Sequence, residues 1–413
     1  MMINRRELMA GSLAAAASAA VKGAPLAADA HSRRDGYGAA ATLADLQSDV
    51  RLKNAITKYC TQIVPVYELK WPTLRPDPHT FAFEKADGLL DFAQKNGLTM
   101  RGHNLVWYAD LPEWTKQIKD AATAERALRD HIATVVAYYR GKLTSWDVVN
   151  EAVPEFPKHP TERRESLWLN LLGPNYMRMA FRTAADADPD VQLVINDYDI
   201  ESVGPRFAAR RGALRNIVSD LLDTGTPLHA VGLQAHLHGE LDIDTDGLAK
   251  CVAEFRSWGL DVIVTELDVD DKQLPGPEAE RDAIVAKKVD QVFSAITSEA
   301  PLRSILTWGI ADQYSWIDQM FPRPDHLPNR PLPLDRDFRP KPFMDVISKF
   351  TREATCREQE TRAATRNVSG GELGLNDAST CLSIHDRERG RRGVRLPQHG
   401  DVHAPALDRK SVV

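Results

Sequence analysis

Two glutamates stand where apolar runs end. SWDVVN leads into Glu151, and DVIVT leads into Glu266. A carboxylate delivered by a buried strand is costly unless it is satisfied or used. One such case is commonly a structural ion pair. Two, on separate strands, point to a working pair that flanks a bond. Cleavage of a glycosidic bond needs that pair: one carboxylic acid to protonate the leaving oxygen, and one carboxylate to attack or to activate water. Other strand ends carry groups suited to sugar hydroxyls and sugar faces: His103, Asn104 and Trp107, then Asn150, Asn196-Asp197-Tyr198, Gln234 and His236, Asp268, and Trp308. Metal ligation by His236, His238 and Glu240 is the weaker rival. Neither a metal nor a cofactor is expected.

These residues need elements that bring them together. Eight β-rich runs recur along the chain: Tyr37–Ala41, Gln62–Pro65, Thr99–Val106, Ser145–Asn150, Gln192–Asn196, Ala230–Gln234, Asp261–Glu266 and Ser304–Thr307. Helical stretches separate them at Phe83–Asn96, Ala124–Tyr139, Tyr176–Asp186, Arg206–Thr224, Gly247–Trp258 and Pro277–Glu299. Strand–helix alternation of this kind predicts an α/β fold, a (β/α)8 TIM barrel with a single catalytic domain. In such a barrel the chemistry sits at the C-terminal ends of the strands, where the polar residues cluster. Strands four and seven lie on nearly opposite sides of the ring, so Glu151 and Glu266 would converge across its mouth. A doubly wound open sheet is the alternative, and it requires a phosphate-binding turn after the first strand. Gly36-Tyr-Gly38-Ala-Ala-Ala41 matches G-x-G-x-x-A, but the polar segment HSRRD before it cannot be a buried strand.

Composition is close to a globular average. The chain has 413 residues, 43% apolar and 27% charged, and a formal net charge of −6. That balance argues against nucleic acid as a partner. Four cysteines are too few for a disulfide scaffold. The ends differ from the middle. Arg5 and Arg6 precede an alanine-rich, weakly apolar run from Leu8 to Val21. Residues 1–30 therefore read as an export signal of the twin-arginine kind, directing the protein to the periplasm or outside the cell. No other segment approaches a membrane span, and no membrane association is expected. Residues 351–413 hold no Phe, Trp or Tyr, with 11 Arg and Lys against 9 Asp and Glu, and read as a disordered tail. The barrel is assigned to residues 31–350, and a monomer is the default.

The motifs taken in order carry a family resemblance. GHNLVWYADLPEW (Gly102–Trp114), SWDVVNEA (Ser145–Ala152), NDYDIE (Asn196–Glu201), VGLQAHL (Val231–Leu237), VTELDV (Val264–Val269), TWGIADQYSW (Thr307–Trp316) and RPKPF (Arg339–Phe343) resemble glycoside hydrolase family 10, the retaining endo-β-1,4-xylanases. The resemblance implies that Glu151 is the general acid/base and Glu266 the nucleophile. It implies that Asn150 binds the 2-hydroxyl of the sugar under attack. His236 would hold Glu266, with Asp268 supporting that histidine. Gln234, His103, Lys70 and Trp107 would contact sugars on the non-reducing side, and Trp308 and Trp316 would wall the cleavage point. The implied substrate is xylan or xylo-oligosaccharide. The acid must hold its proton near neutral pH while the nucleophile is ionised. Once Glu266 is esterified, one negative charge leaves the pair, which suits Glu151 to act as base.

Two departures from the family pattern bear on sugar binding. The family reads P-E-N-x-x-K-W after its second strand. Here the chain reads Pro65-Val66-Tyr67-Glu68-Leu69-Lys70-Trp71. Val66 and Tyr67 replace a glutamate and an asparagine that bind the sugar two places from the cleavage point, and Glu68 is expected to point elsewhere. After Trp107, Tyr108-Ala109-Asp110 replaces a frequent H-x-Q. A weakened xylanase is the simpler expectation and altered substrate preference the sharper one. The alternatives are a retaining β-glycosidase acting on β-glucan or aryl glycosides, and a weakly active sugar-binding protein.

Overall fold

The computed structural model describes residues 2–4, 36–298, 301–302 and 304–354. The expected export signal (apart from residues 2–4) and the expected tail from residue 355 onward lie outside the described residues.

Eight parallel strands make the ring: β1 (Gly36–Ala41), β2 (Gln62–Pro65), β3 (Thr99–Met100), β4 (Ser145–Asn150), β5 (Gln192–Asp197), β6 (Ala230–Leu233), β7 (Asp261–Asp270) and β8 (Ser304–Thr307). Their hydrogen-bonded order is β3-β2-β1-β8-β7-β6-β5-β4. The ring closes between β3 and β4 through parallel pairs Gly102–Trp146 and Val106–Val149. Backbone bonds from Leu105 N to Asp147 O and from Asn150 N to Val106 O, each 2.9 Å, complete that seam. A closed ring excludes the open doubly wound sheet, and the G-x-G-x-x-A residues form β1 itself rather than a turn after it.

Both faces of this sheet are covered, so the strands bury nearly all the side chains they carry, as in QIVP of β2 and SWDVVN of β4, with only the first residues Thr99, Gln192 and Asp261 partly exposed. That double burial is why they read as near-continuous apolar runs. Helices pack outside with an apolar stripe inward. Ala121–Tyr138 buries Leu128, Ile132, Val135 and Val136. It begins at Asp120, whose carboxylate accepts from Thr123 N at 2.9 Å and satisfies a backbone donor the helix cannot. Inside the ring, Ala40, Val64 and Leu306 form a small plug beneath Val66 and Trp308.

Four expectations need correction. The third strand is not continuous over Thr99–Val106: it is regular for two residues and then pairs only at Gly102 and Val106. Gly102 is required there, because a Cβ would lie 2.2 Å from Trp146 Cε3. Gln234 falls just beyond β6 rather than within it. Glu266 does not end its strand: β7 runs on to Asp270 and pairs with a short strand at His236–His238. The last helix, 342–354, carries the fold four residues past the expected boundary at 350.

Both glutamates follow irregularities in their ladders. Against β8, the register of β7 shifts between Val264 and Leu267, so Glu266 sits in the bulged segment. Against β5, the register of β4 shifts between Asp147 and Val149, just ahead of Glu151. A bulge re-aims side chains at the rim of a barrel.

Candidate active site

A cleft of about 570 Å³ opens at the C-terminal ends of the strands. Ten of the eleven expected site residues line it: Glu151, Glu266, Lys70, His103, Trp107, Asn150, Gln234, His236, Trp308 and Trp316. Asp268, the eleventh, stands behind the wall and holds two of the others. Its Oδ1 lies 2.7 Å from His236 Nδ1, and its Oδ2 accepts from Trp316 Nε1 at 2.8 Å.

Glu266 is buried yet ringed by partners. Asn196 Nδ2 donates to its Oε1 at 2.6 Å. His103 Nδ1 is 3.7 Å from Oε1, and His236 Nε2 is 3.5 Å from Oε2. Burial by itself would push this carboxyl up. The imidazoles of His103 and His236, together with Asn196, outweigh it and hold Glu266 at about 2. Burial would likewise pull His236 down, but Asp268 and Glu266 lift it to about 10. Glu266 is therefore an anion at neutral pH beside a cationic histidine.

The orientation of Asn196 is settled by its other contacts. The ionised Glu266 carboxylate can only accept, so the amide nitrogen must face it, and Asn196 Oδ1 then accepts from Thr265 Oγ1 at 2.7 Å. This arrangement needs a glycine at 232: a Cβ there would lie 2.4 Å from Asn196 Oδ1.

Glu151 faces the same cleft from β4. Its backbone has φ +58°, a left-handed turn unusual for a non-glycine residue and often found at working sites. Its N–H donates to Asn196 O at 2.8 Å, which pins that turn to β5. Gln234 Nε2 donates to Glu151 Oε1 at 3.1 Å and Asn150 Nδ2 at 3.3 Å. Asn150 Oδ1 accepts from Gln234 Nε2 at 3.1 Å and from Asn196 Nδ2 at 2.9 Å. A chain of amides thus links the two carboxylates and holds both in place. Arg164 approaches from outside, donating to Glu151 O at 2.9 Å and to Tyr198 Oη at 2.6 Å.

His103 is set by a buried ion pair. Asp147 Oδ2 lies 2.9 Å from His103 Nδ1, while Asp147 Oδ1 accepts from Arg101 Nη2 at 2.6 Å. His103, Asp147 and Glu266 form a cluster whose ligand-type atoms fall within 4.8 Å of one another. Arg101 already neutralises Asp147, so these atoms are engaged with one another. The metal reading of His236, His238 and Glu240 fares worse. His236 is taken by Asp268, and His238 Nε2 lies 3.1 Å from Asp199 Oδ1.

The altered loop after β2 is resolved in detail. Glu68 is buried and turned away from the cleft: its Oε1 accepts from Leu43 N at 2.7 Å, at the start of the helix Leu43–Ser48. Val66, Tyr67 and Lys70 face the cleft. The Lys70 ammonium lies 4.8 Å from the Trp107 ring centroid and 5.2 Å from that of Tyr67.

Comparison with known proteins agrees with this geometry. A model of glycosyl hydrolase family 10 matches residues 27–350. The chain belongs to glycosyl hydrolase family 10. Among family 10 relatives, endo-1,4-beta-xylanase B of Paenibacillus barcinonensis is 33% identical over 301 residues, covering 69% of this chain and 87% of the relative. The crystal structure of native xylanase 10B from Thermotoga maritima superposes with a TM-score of 0.70 at 29% identity, covering 79% of this chain and 97% of that one. Xylanase 10B from Thermotoga petrophila, solved in complex with xylobiose, gives a TM-score of 0.70 at 28% identity, covering 81% and 99%.

Thr265, Asp147, Arg101 and Arg164 join the site without a sequence motif that marks them, and Asn196, a polar strand end in the sequence, takes a specific role as donor to Glu266. Asn196 carried a signal, as the first polar residue after the apolar run of β5. Arg164 carried none, since it reaches Glu151 from a loop thirteen positions away.

Proposed function

We propose that this family 10 protein is a retaining endo-1,4-β-xylanase that cleaves internal bonds of xylan by double displacement. The observation that carries the reading is the pairing of Glu151 and Glu266 in one cleft, with Glu266 held ionised. Glu151 protonates the glycosidic oxygen while Glu266 attacks the anomeric carbon from the opposite face, giving a glycosyl ester. Water then enters, Glu151 removes its proton, and the ester breaks with net retention. Asn150 binds the 2-hydroxyl of the sugar under attack. His236, backed by Asp268, fixes Glu266. Gln234, His103, Lys70 and Trp107 meet glycone sugars, and Trp308 and Trp316 wall the cleavage point. The arginine-led N-terminus directs export, and the enzyme acts as a monomer.

Reducing-sugar release from beechwood xylan, compared with carboxymethylcellulose, tests this reading. Release from xylan alone is expected. Release from the glucan alone would favour the related β-glycosidase, and binding without release would favour a sugar-binding protein.

A further inference from the structure

Lys70 is the only lysine or arginine among the described residues that line the cleft. Its side chain is buried at 7% exposure, with its ammonium toward the cleft. Among the described residues it has no hydrogen bond, and no carboxylate oxygen lies within the 4.0 Å of an ion pair. Its immediate company is the two ring faces of Trp107 and Tyr67. Burial pulls Lys70 below the usual lysine range; Asp110, Glu266, Glu151 and Glu68 oppose that only from beyond contact distance.

Ring faces compensate a desolvated ammonium in part; a carboxylate in direct contact does so more strongly, through a charge-assisted hydrogen bond. The neighbouring positions leave room for one. Val66 carries no charge and stands where the family pattern has a glutamate, so nothing at that position repels an incoming anion. Tyr67 is 45% exposed and offers a ring to a sugar, where the pattern has an asparagine. Asp110 opposes the effect of burial on Lys70 more than the other carboxylates do, and it makes no ion pair with it.

We propose that Lys70 takes the carboxylate of a hexuronate branch carried by the glycone sugar two places from the cleavage point, with Tyr67 and Trp107 flanking it. The change at Val66 and Tyr67 then gives a subsite for acidic, branched substrate in place of one closed around a plain sugar.

The inference rests on the xylanase reading and is tested apart from it. Three matched oligosaccharides are needed: a linear xylotetraose, the same chain with one glucuronate branch, and that branch reduced to the neutral glucoside. The acidic substrate is expected to exceed its reduced counterpart about tenfold in kcat/KM at low salt, and less in about 0.5 M NaCl. K70R keeps the preference and K70Q loses it. V66E also loses it, with the lysine still present, because it restores a competing carboxylate. Calorimetric binding of the three oligosaccharides to the full-length E151Q variant gives the same comparison without turnover. Equal rates and equal binding for the acidic and reduced forms, or a preference that survives in K70Q, would overturn the proposal. Failure to cleave linear xylan would overturn the xylanase reading and leave the binding comparison to decide this one.

Discussion

Glu266 must be an anion in a place that water scarcely reaches. Desolvation works against it, and two imidazoles and one amide reverse the balance. The consequence is a pH signature. Glu266 has its folded value depressed from 4.5 to about 2, so its contribution to stability is present above 4.5 and is lost as pH falls toward 2. His236 has its value raised from 6.5 to about 10, so its contribution is present below 6.5 and is lost as pH rises through 10. The two describe one ion-paired cluster, which is most stabilising from about pH 4.5 to 6.5. Asn196→Ala removes one of the groups holding Glu266 down. The acid limb of kcat/KM is expected to move up by about one pH unit in that variant. An unmoved limb would mean that Asn196 does not support the anion. Glu266→Ala is expected to abolish turnover, with azide partly restoring it as an inverted glycosyl azide seen by NMR; no rescue would count against the nucleophile. Asn196 was visible in the sequence only as a polar strand end. Its role depends on Thr265 and Gly232, which reach it across neighbouring strands, and no local pattern records that.

The strands position these residues more finely than their apolar runs indicate. All eight runs form strands, and seven of them match the expected starts within one residue and the core of the expected span. Their periodicity and burial are local and strong enough to read. The bulges in β4 and β7 are not, because a register shift is a relation between two ladders. The short helices Leu43–Ser48, Trp71–Leu74 and Leu167–Leu172 are too brief for a helical period to declare itself in the sequence. Two element-scale tests follow from the contacts. Gly232→Ala forces Asn196 aside, and kcat/KM is expected to fall about tenfold to a hundredfold in a folded protein, checked by kinetics with circular dichroism. Glu68→Ala frees the N–H of Leu43 at the helix start, and a loss of about 1–2 kcal/mol is expected in denaturant unfolding with xylan hydrolysis retained. Wild-type stability in that variant would place Glu68 outside the structural role assigned to it.

The described residues form a closed barrel whose open end gathers residues from all eight strand ends into one cleft. The order of motifs along the chain made this readable, since each motif falls at a strand end and the ring fixes which ends face one another. The near-balanced charge of −6 over 413 residues suits a largely uncharged polymer, with aromatic faces and hydroxyl partners in place of a strong field. Residues 355–413 lack the aromatic side chains of a second core. A chain ending at Ala354 is expected to keep the melting temperature and xylan hydrolysis of the full chain; loss of either would assign the tail a role. The central claim is double displacement by Glu151 and Glu266, and the stereochemistry of the first product tests it most directly. Proton NMR of xylo-oligosaccharide hydrolysis, followed from the earliest time points, is expected to show the β-anomer appearing first and the α-anomer only later by mutarotation. An α-anomer formed first would contradict it.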